Sequence, residues 1–268
     1  MTLCAVWLSG CAAPAWPAPE AETARLALEG LLPANLLLVG EQHDAPEHQA
    51  LQAELVRTLA DTGRLGALVL EMAEAGQTTQ GLSPAASEAE VQTRLRWQQN
   101  PQAWPWSAYG PSIMAAVRGG VPVLGGNLPA SQMRAAMRDA SLDQRLTTEA
   151  LREQQTNIRE GHCGMLPENQ ITPMTRVQIA RDLAMARTLS NAAHPRRTVM
   201  LIAGNQHVRR DLGVPLHLGS GLDTRVLMAV AESPDATTAA AAPADRVWRS
   251  PPRPPRDHCA EFRQQMKR

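Results

Sequence analysis

Two four-residue signatures constrain this chain more than anything else in it. Gly40-Glu41-Gln42-His43 follows the apolar run Asn35 to Val39, and Gly204-Asn205-Gln206-His207 follows Thr198 to Ala203. Runs of this length are too short for a helix and suit strands buried on both faces, as in a parallel sheet. Open α/β sheets bind their ligands outside the carboxyl ends of the strands. A strand that ends in glycine and then offers a histidine places a reactive group there. The two turns together predict one functional site on one edge of a parallel sheet.

The intervening pattern agrees. Ala67 to Leu70 reads as a second strand with Glu71 at its end, Val121 to Leu124 as a third running into Gly125-Gly126-Asn127, and Thr224 to Val230 as a last one. Asp44 and Glu47 stand in capping-box spacing, with Pro46 in the first turn and Leu51, Leu55 and Leu59 behind them, which predicts a helix stopping near Gly63. Tyr109 to Val117 reads as a helix interrupted at Pro111, Pro129 to Arg138 and Leu142 to Arg159 as further helices, and Thr172 to Leu189 as a long amphipathic one. The polar stretch from Gln77 to Trp104, anchored by Leu95 and Trp97, reads as a helical insertion or lid. The alternation predicts an α/β fold: a mainly parallel open sheet with helices on both faces. The tail from Ala231, with Pro251-Pro252-Arg253-Pro254-Pro255, predicts a surface strap with neither regular helix nor inner strand.

Lys plus Arg equals Asp plus Glu at 26 each, so no net charge draws the chain to nucleic acid. At the start, Leu8-Ser9-Gly10-Cys11 fits the pattern at which bacterial lipoprotein signals are cut and Cys11 is lipidated. No Lys or Arg precedes Cys11, so the signal reads as truncated. The expected organisation is a signal over residues 1–10, a tether over 11–30, one α/β domain over 31–230 and a Pro-rich strap over 231–268. Ala12 and Ala13 lack an inner-membrane retention Asp, which makes the outer membrane the expected address. Cys4 falls in the leader and Cys11 at the lipid site, leaving Cys163 and Cys259. In an oxidising envelope these two can pair and tie the strap to the domain; two unpaired buried cysteines are the alternative.

The strand-end groups are Glu41, His43, Glu71, Asn127 and His207, with His48 and His162 as neighbours in sequence. Imidazole nitrogen and carboxylate oxygen suit zinc or manganese, so Glu41, His43 and His207 are candidate metal ligands and Glu41, His43, Glu71 and His207 a candidate hydrolytic set. His48 reads as a supporting partner or a solvent-facing residue. Gln178, Arg181 and Met185 recur at helical spacing, which turns Arg181 inward toward Glu41 or Glu71.

These residues carry a resemblance. Val39 to Asp44 with His48 and Gln52, Leu70-Glu71-Met72, Trp106 to Pro111, Gly125 to Asn127, His162-Cys163-Gly164 to Pro167, Gln178 to Met185 with its Arg181-Asp182 pair, and Ala203 to His207 together resemble the ChaN family of haem-binding lipoproteins, within a Tiki-like superfamily. The resemblance spans about Leu36 to Pro215 and implies haem binding in iron acquisition. It implies a tyrosine ligand, and the single tyrosine is Tyr109, with Trp104 and Trp106 offering flat apolar faces and Met114 soft packing. Docking of that loop onto the sheet is the other reading of Tyr109 and the Trp pair, and an axial role for a histidine instead of Tyr109 stays open. A homodimer closing around the porphyrin and an outer-membrane haem or siderophore receptor are the expected partners. The superfamily also includes membrane-associated metalloproteases and erythromycin-esterase-like hydrolases, so metal-dependent hydrolysis at the Glu/His site is the alternative.

Overall fold

The computed structural model describes residues 21–97, 104–232, 243–254 and 256–265. Helix α1 (Ala21–Leu28) leads to strand β1 (Leu36–Glu41), helix α2 (Pro46–Asp61), strand β2 (Leu65–Glu74) and helices α3 (Glu88–Arg94) and α4 (Trp106–Arg118). Strand β3 (Val123–Asn127) and helices α5 (Met133–Arg138), α6 (Thr148–Gly161) and α7 (Glu168–Ala192) follow. Strand β4 (Thr198–Gly204), the single turn α8 (Asn205–Val208), strands β5 (Thr224–Ala231) and β6 (Arg246–Ser250) and helix α9 (His258–Gln265) complete the order.

All six strands are parallel, in the order β3-β2-β4-β1-β5-β6. The chain steps outward from β1 to β2 to β3 and then turns back to β4. Right-handed crossovers in opposite directions send their helices to opposite faces. Leu37, Val39, Leu68, Leu70 and Ile202 accordingly meet α2 and α4, while Leu36, Leu38, Val69, Leu201 and Ala203 meet Met185 and Leu189 of α7. The predicted α/β architecture, with a parallel sheet between two helical layers, is the observed one. Leu95 and Trp97 are buried in the first of these cores and anchor the insertion around α3.

Four expectations need correction. The domain begins before residue 31, because α1 buries Ala24, Ala27 and Leu28 in the core. Asp44 does not cap α2, whose N-cap is Ala45 without a side-chain bond; Asp44 instead pairs with Arg253. Pro111 lies inside α4 without ending it. The tail is not merely a strap, since Arg246 to Ser250 pairs with Leu227 to Ala231 as a sixth strand and residues 258–265 form α9. Cys163 and Cys259 are bonded, with their Cα atoms 5.6 Å apart, so α9 is held at the end of α6. Cys11 and the signal pattern lie outside the described residues. Among the described residues no helix is long and apolar enough to cross a membrane.

Candidate functional site

β1 and β4 are neighbours, with Gly40 opposite Ala203 and Glu41 opposite Gly204, so both signature turns leave the sheet side by side. Period-two alternation puts Glu41 on the α2/α4 face, behind Leu37 and Val39. Its carboxylate is 2% exposed and fully engaged. Tyr109 of α4 donates its hydroxyl to Oε1 at 2.6 Å, His43 donates Nδ1–H to the same oxygen at 2.8 Å, and Gln52 of α2 donates to Oε2 at 2.9 Å.

A second acid sits on the other face. Alternation from Val69, which packs against α7, puts Glu71 on that same face, just where the register of β2 against β3 begins to shift between Leu70 and Glu74. Its Oε2 accepts from Gly204 N at 2.8 Å, and its Oε1 lies 3.4 Å from His207 Nε2. The other nitrogen of His207, Nδ1, is 2.6 Å from Asp182 Oδ1. His43 joins the two halves over the edge of the sheet, its Nε2 3.8 Å from Glu71 Oε2. The result is an alternating chain of acid and imidazole running Asp182, His207, Glu71, His43, Glu41 and ending on Tyr109.

The electrostatics follow from that alternation. Burial opposes a charge on His207, but the charges of Glu71 and Asp182 outweigh it and push its pKa up to about 10. Burial likewise opposes ionisation of Glu71, and the His207 charge overrides it, holding the carboxyl down at about 2. His43 is raised too, because its bond to Glu41 and the charges of Glu71 and Glu41 exceed the cost of its burial. Tyr109 moves far upward, through burial first and the adjacent Glu41 charge second, so the phenol keeps its proton.

His48 belongs to a different structure. Gln42 N donates to its Nδ1 at 3.0 Å and its Nε2 faces Ser250 Oγ at 3.2 Å, with Trp248 edge-on to the ring. It is the neutral pin of β6, and burial, then the Arg253 charge, lower its pKa to about 4. His162 closes α6, its Nδ1 donating to the Ile158 carbonyl at 2.8 Å. Arg181 does not pair with Glu41 or Glu71, whose acids are committed to the imidazoles. The inward charge of α7 is its neighbour Asp182, 2% exposed. The signal was present in the sequence: Ile171, Thr175, Asp182, Met185 and Leu189 share one helical stripe, and Asp182 is the charged member of it.

Beside the network, a cleft of about 320 Å³ opens between β2, β3 and the insertion. Glu71, Asn127 and Arg181 give it polar walls, and Trp97, Trp104 and Met72 give it apolar ones. Asn127 holds the edge by donating Nδ2 to the Glu71 carbonyl at 2.8 Å. Trp104 lies between cleft and network, edge-on to His43 with centroids 4.8 Å apart and edge-on to Tyr109 at 5.9 Å. A larger cavity of about 590 Å³ lies on the outer surface of α2 and α4, with Trp106 and Met114 in its wall, and holds none of the strand-end groups. The four residues expected around a porphyrin are thus divided. Trp104 faces the cleft, Tyr109 is buried behind it at 1% exposure, and Trp106 and Met114 are elsewhere. Trp106 is occupied by its bond to Glu88, at 2.8 Å.

Neither is the metal set assembled. Among the described residues no three His, Cys, Asp or Glu side chains are placed to hold a metal ion together. Glu41 is saturated by Tyr109, His43 and Gln52, and His207 spends both nitrogens on carboxylates.

A family model described as haem-binding uptake, Tiki superfamily, ChaN matches residues 27–218. Among solved structures, one described as cofacial haem binding to ChaN of Campylobacter jejuni is 24% identical, covers 79% of this chain and 87% of its own, and superposes with a TM-score of 0.64, which establishes a shared fold. The type III effector HopBA1 is 14% identical over 82% of this chain and 88% of its own, and its TM-score of 0.42 is too low to argue from. No curated protein sequence matches.

Proposed function

The chain belongs to the ChaN family of haem-binding uptake proteins in the Tiki superfamily, and from that premise we propose that it binds haem in the cleft between β2, β3 and the insertion. The observation that carries the reading is the make-up of this cleft: indole and thioether walls beside a guanidinium, at the carboxyl edge where both signature turns end. A porphyrin is a flat apolar plate with two acids on one side, and such walls suit both parts. When bound, haem would supply a ferric iron that a nitrogen or oxygen donor of the protein could hold.

Tyr109 does not present such a donor. Its hydroxyl is buried, protonated and bonded to Glu41. The group that fits is His43, whose side chain is 39% exposed and whose Nδ1–H is held by Glu41. A carboxylate on one nitrogen fixes the tautomer and leaves the other for iron. Glu41, Tyr109 and Gln52 then orient the ligand.

Titration of the purified protein with hemin tests both parts. A Soret shift is expected that Tyr109→Phe preserves and His43→Ala abolishes or moves. No spectral change in the wild-type protein overturns the haem reading, and loss of the shift in Tyr109→Phe with retention in His43→Ala returns the ligand to tyrosine.

The same reading places the protein in the bacterial envelope, lipidated at Cys11, with Cys163 and Cys259 oxidised and haem passed on from an outer-membrane receptor. It is supported by Leu8-Ser9-Gly10-Cys11 and by the pairing of the two remaining cysteines. Mass spectrometry of the mature N-terminus checks it, an unmodified Cys11 counting against it.

A further inference from the structure

We propose that Arg181 is the carboxylate anchor of the cleft, so that the site selects its ligand by a free acid group as well as by its apolar plate; this rests on the haem reading and extends it to a specificity residue. Arg181 is on α7 directly before Asp182. The stripe that turns Asp182 inward to His207 leaves Arg181 to line the cleft together with Asn127.

Its charge is felt by the adjacent Asp182, but no hydrogen bond is formed to it among the described residues. Nε is buried without a hydrogen-bond partner, and among the described residues Arg181 makes no ion pair. The acids around it are committed elsewhere: Glu71 to His207 and to Gly204 N, Asp182 to His207, and Glu74 to the backbone N–H of Ala130. A buried charged donor without an acceptor is costly. Asn127, on the same lining, uses its Nδ2 on the Glu71 carbonyl, and its Oδ1 is buried without a partner, an acceptor that calls for a donor and not for the ligand's acid.

Arg181 and Arg96 stand on the walls of the cleft beside Glu71 and Glu74, and Glu71 is engaged by His207 and Gly204 N. A guanidinium offers a planar fork that meets a carboxylate through two parallel bonds, a geometry that lysine's single ammonium cannot reproduce. A porphyrin that lies against Trp97 and Trp104 and extends a propionate toward α7 would meet that fork.

The experiment compares hemin with hemin dimethyl ester, in which both acids are masked, on the full chain and on Arg181→Gln and Arg181→Lys. Metal-free protoporphyrin, followed by its fluorescence, gives a readout independent of iron ligation. The wild-type protein is expected to prefer the free acid by about 10- to 100-fold, the range of one charge-assisted hydrogen-bonded pair. Arg181→Gln should lose that preference, its affinity falling more for the free acid than for the ester, and Arg181→Lys should keep only part of it. Hemin and ester bound with the same ratio by wild type and Arg181→Gln would overturn the anchor and leave haem binding standing. Failure of the wild-type chain to bind any of the three porphyrins would overturn both. An Arg181→Gln protein that does not fold leaves the decision to Arg181→Lys, whose free-acid preference must then fall below wild type.

Discussion

A Cβ at position 204 would come within 2.7 Å of His43 Nε2, and one at position 40 within 2.3 Å of Asn205 Oδ1 and 2.5 Å of Val208 Cγ2. Each signature glycine thus clears space for the other signature's turn, and the side-by-side register of β1 and β4 is what makes the clearance mutual. Gly204→Ala is expected to push the His43 ring aside, cost about 1–3 kcal/mol as an overpacked site does, and weaken the hemin Soret shift; an unchanged melting curve and spectrum would contradict this. The charge on His207 gives a second outcome. Its folded pKa of about 10 stands above the ordinary 6.5, so its contribution to stability is complete below pH 6.5 and is lost as pH rises through 10. Glu71, lowered from 4.5 to about 2, contributes fully above pH 4.5 and loses that as pH falls through 2. Denaturant unfolding across pH should therefore show an alkaline decline between 6.5 and 10 that His207→Gln removes. An equal decline in the variant would assign it to other groups.

Among the elements, those with strict periodicity were legible. β1 and β4 announce themselves as short apolar runs ending in glycine, and the apolar stripe of α7 runs through Met185 and Leu189. Asp182 was visible in that stripe, yet Arg181 also falls at helical spacing from Gln178 and Met185, and a single residue of helical phase decides which charge meets His207. β6 was hidden for a different reason. Arg246 to Ser250 is not apolar, because an edge strand is covered on one side only, and the following prolines signal an irregular tail. Beyond its ladder with β5, it is held by a partner far away in sequence, His48 on α2, against Ser250 and Trp248. His48→Ala is expected to cost about 1–3 kcal/mol, the range for a buried polar group left unmatched. His48 has a folded pKa of about 4 against 6.5, so the neutral pin contributes above pH 6.5 and its contribution fades as pH falls through 4. The difference in unfolding free energy between wild type and variant should shrink over that interval, and a difference constant in pH would mean that packing alone is at stake.

At the scale of the whole molecule, the parallel topology gathers all six strand ends on one edge, four of them carrying the site groups, while the two helical layers close both faces, so a ligand too large for the interior has that edge as its site. Spacing and composition located the edge, but the cleft is formed by α7 and the insertion meeting across the sheet, a contact that no local pattern contains. The cleft of about 320 Å³ is open on its outer side, and a porphyrin seated there as proposed would keep part of its plate in water. Covering that apolar face is favourable by roughly 25 cal/mol for each Å² removed from water, and a second copy carrying its own half-covered plate is a self-complementary partner for it. Two-fold pairing of identical patches is the commonest way such a surface closes. Hemin is thus expected to convert the protein to a dimer with one porphyrin per chain, facing one another, in sedimentation at micromolar protein. The apo protein and the protein loaded with hemin should then differ in mass by a factor of about two plus the ligand, as expected for a closed two-fold pair. A protein that stays monomeric at saturating hemin would overturn the two-fold pairing.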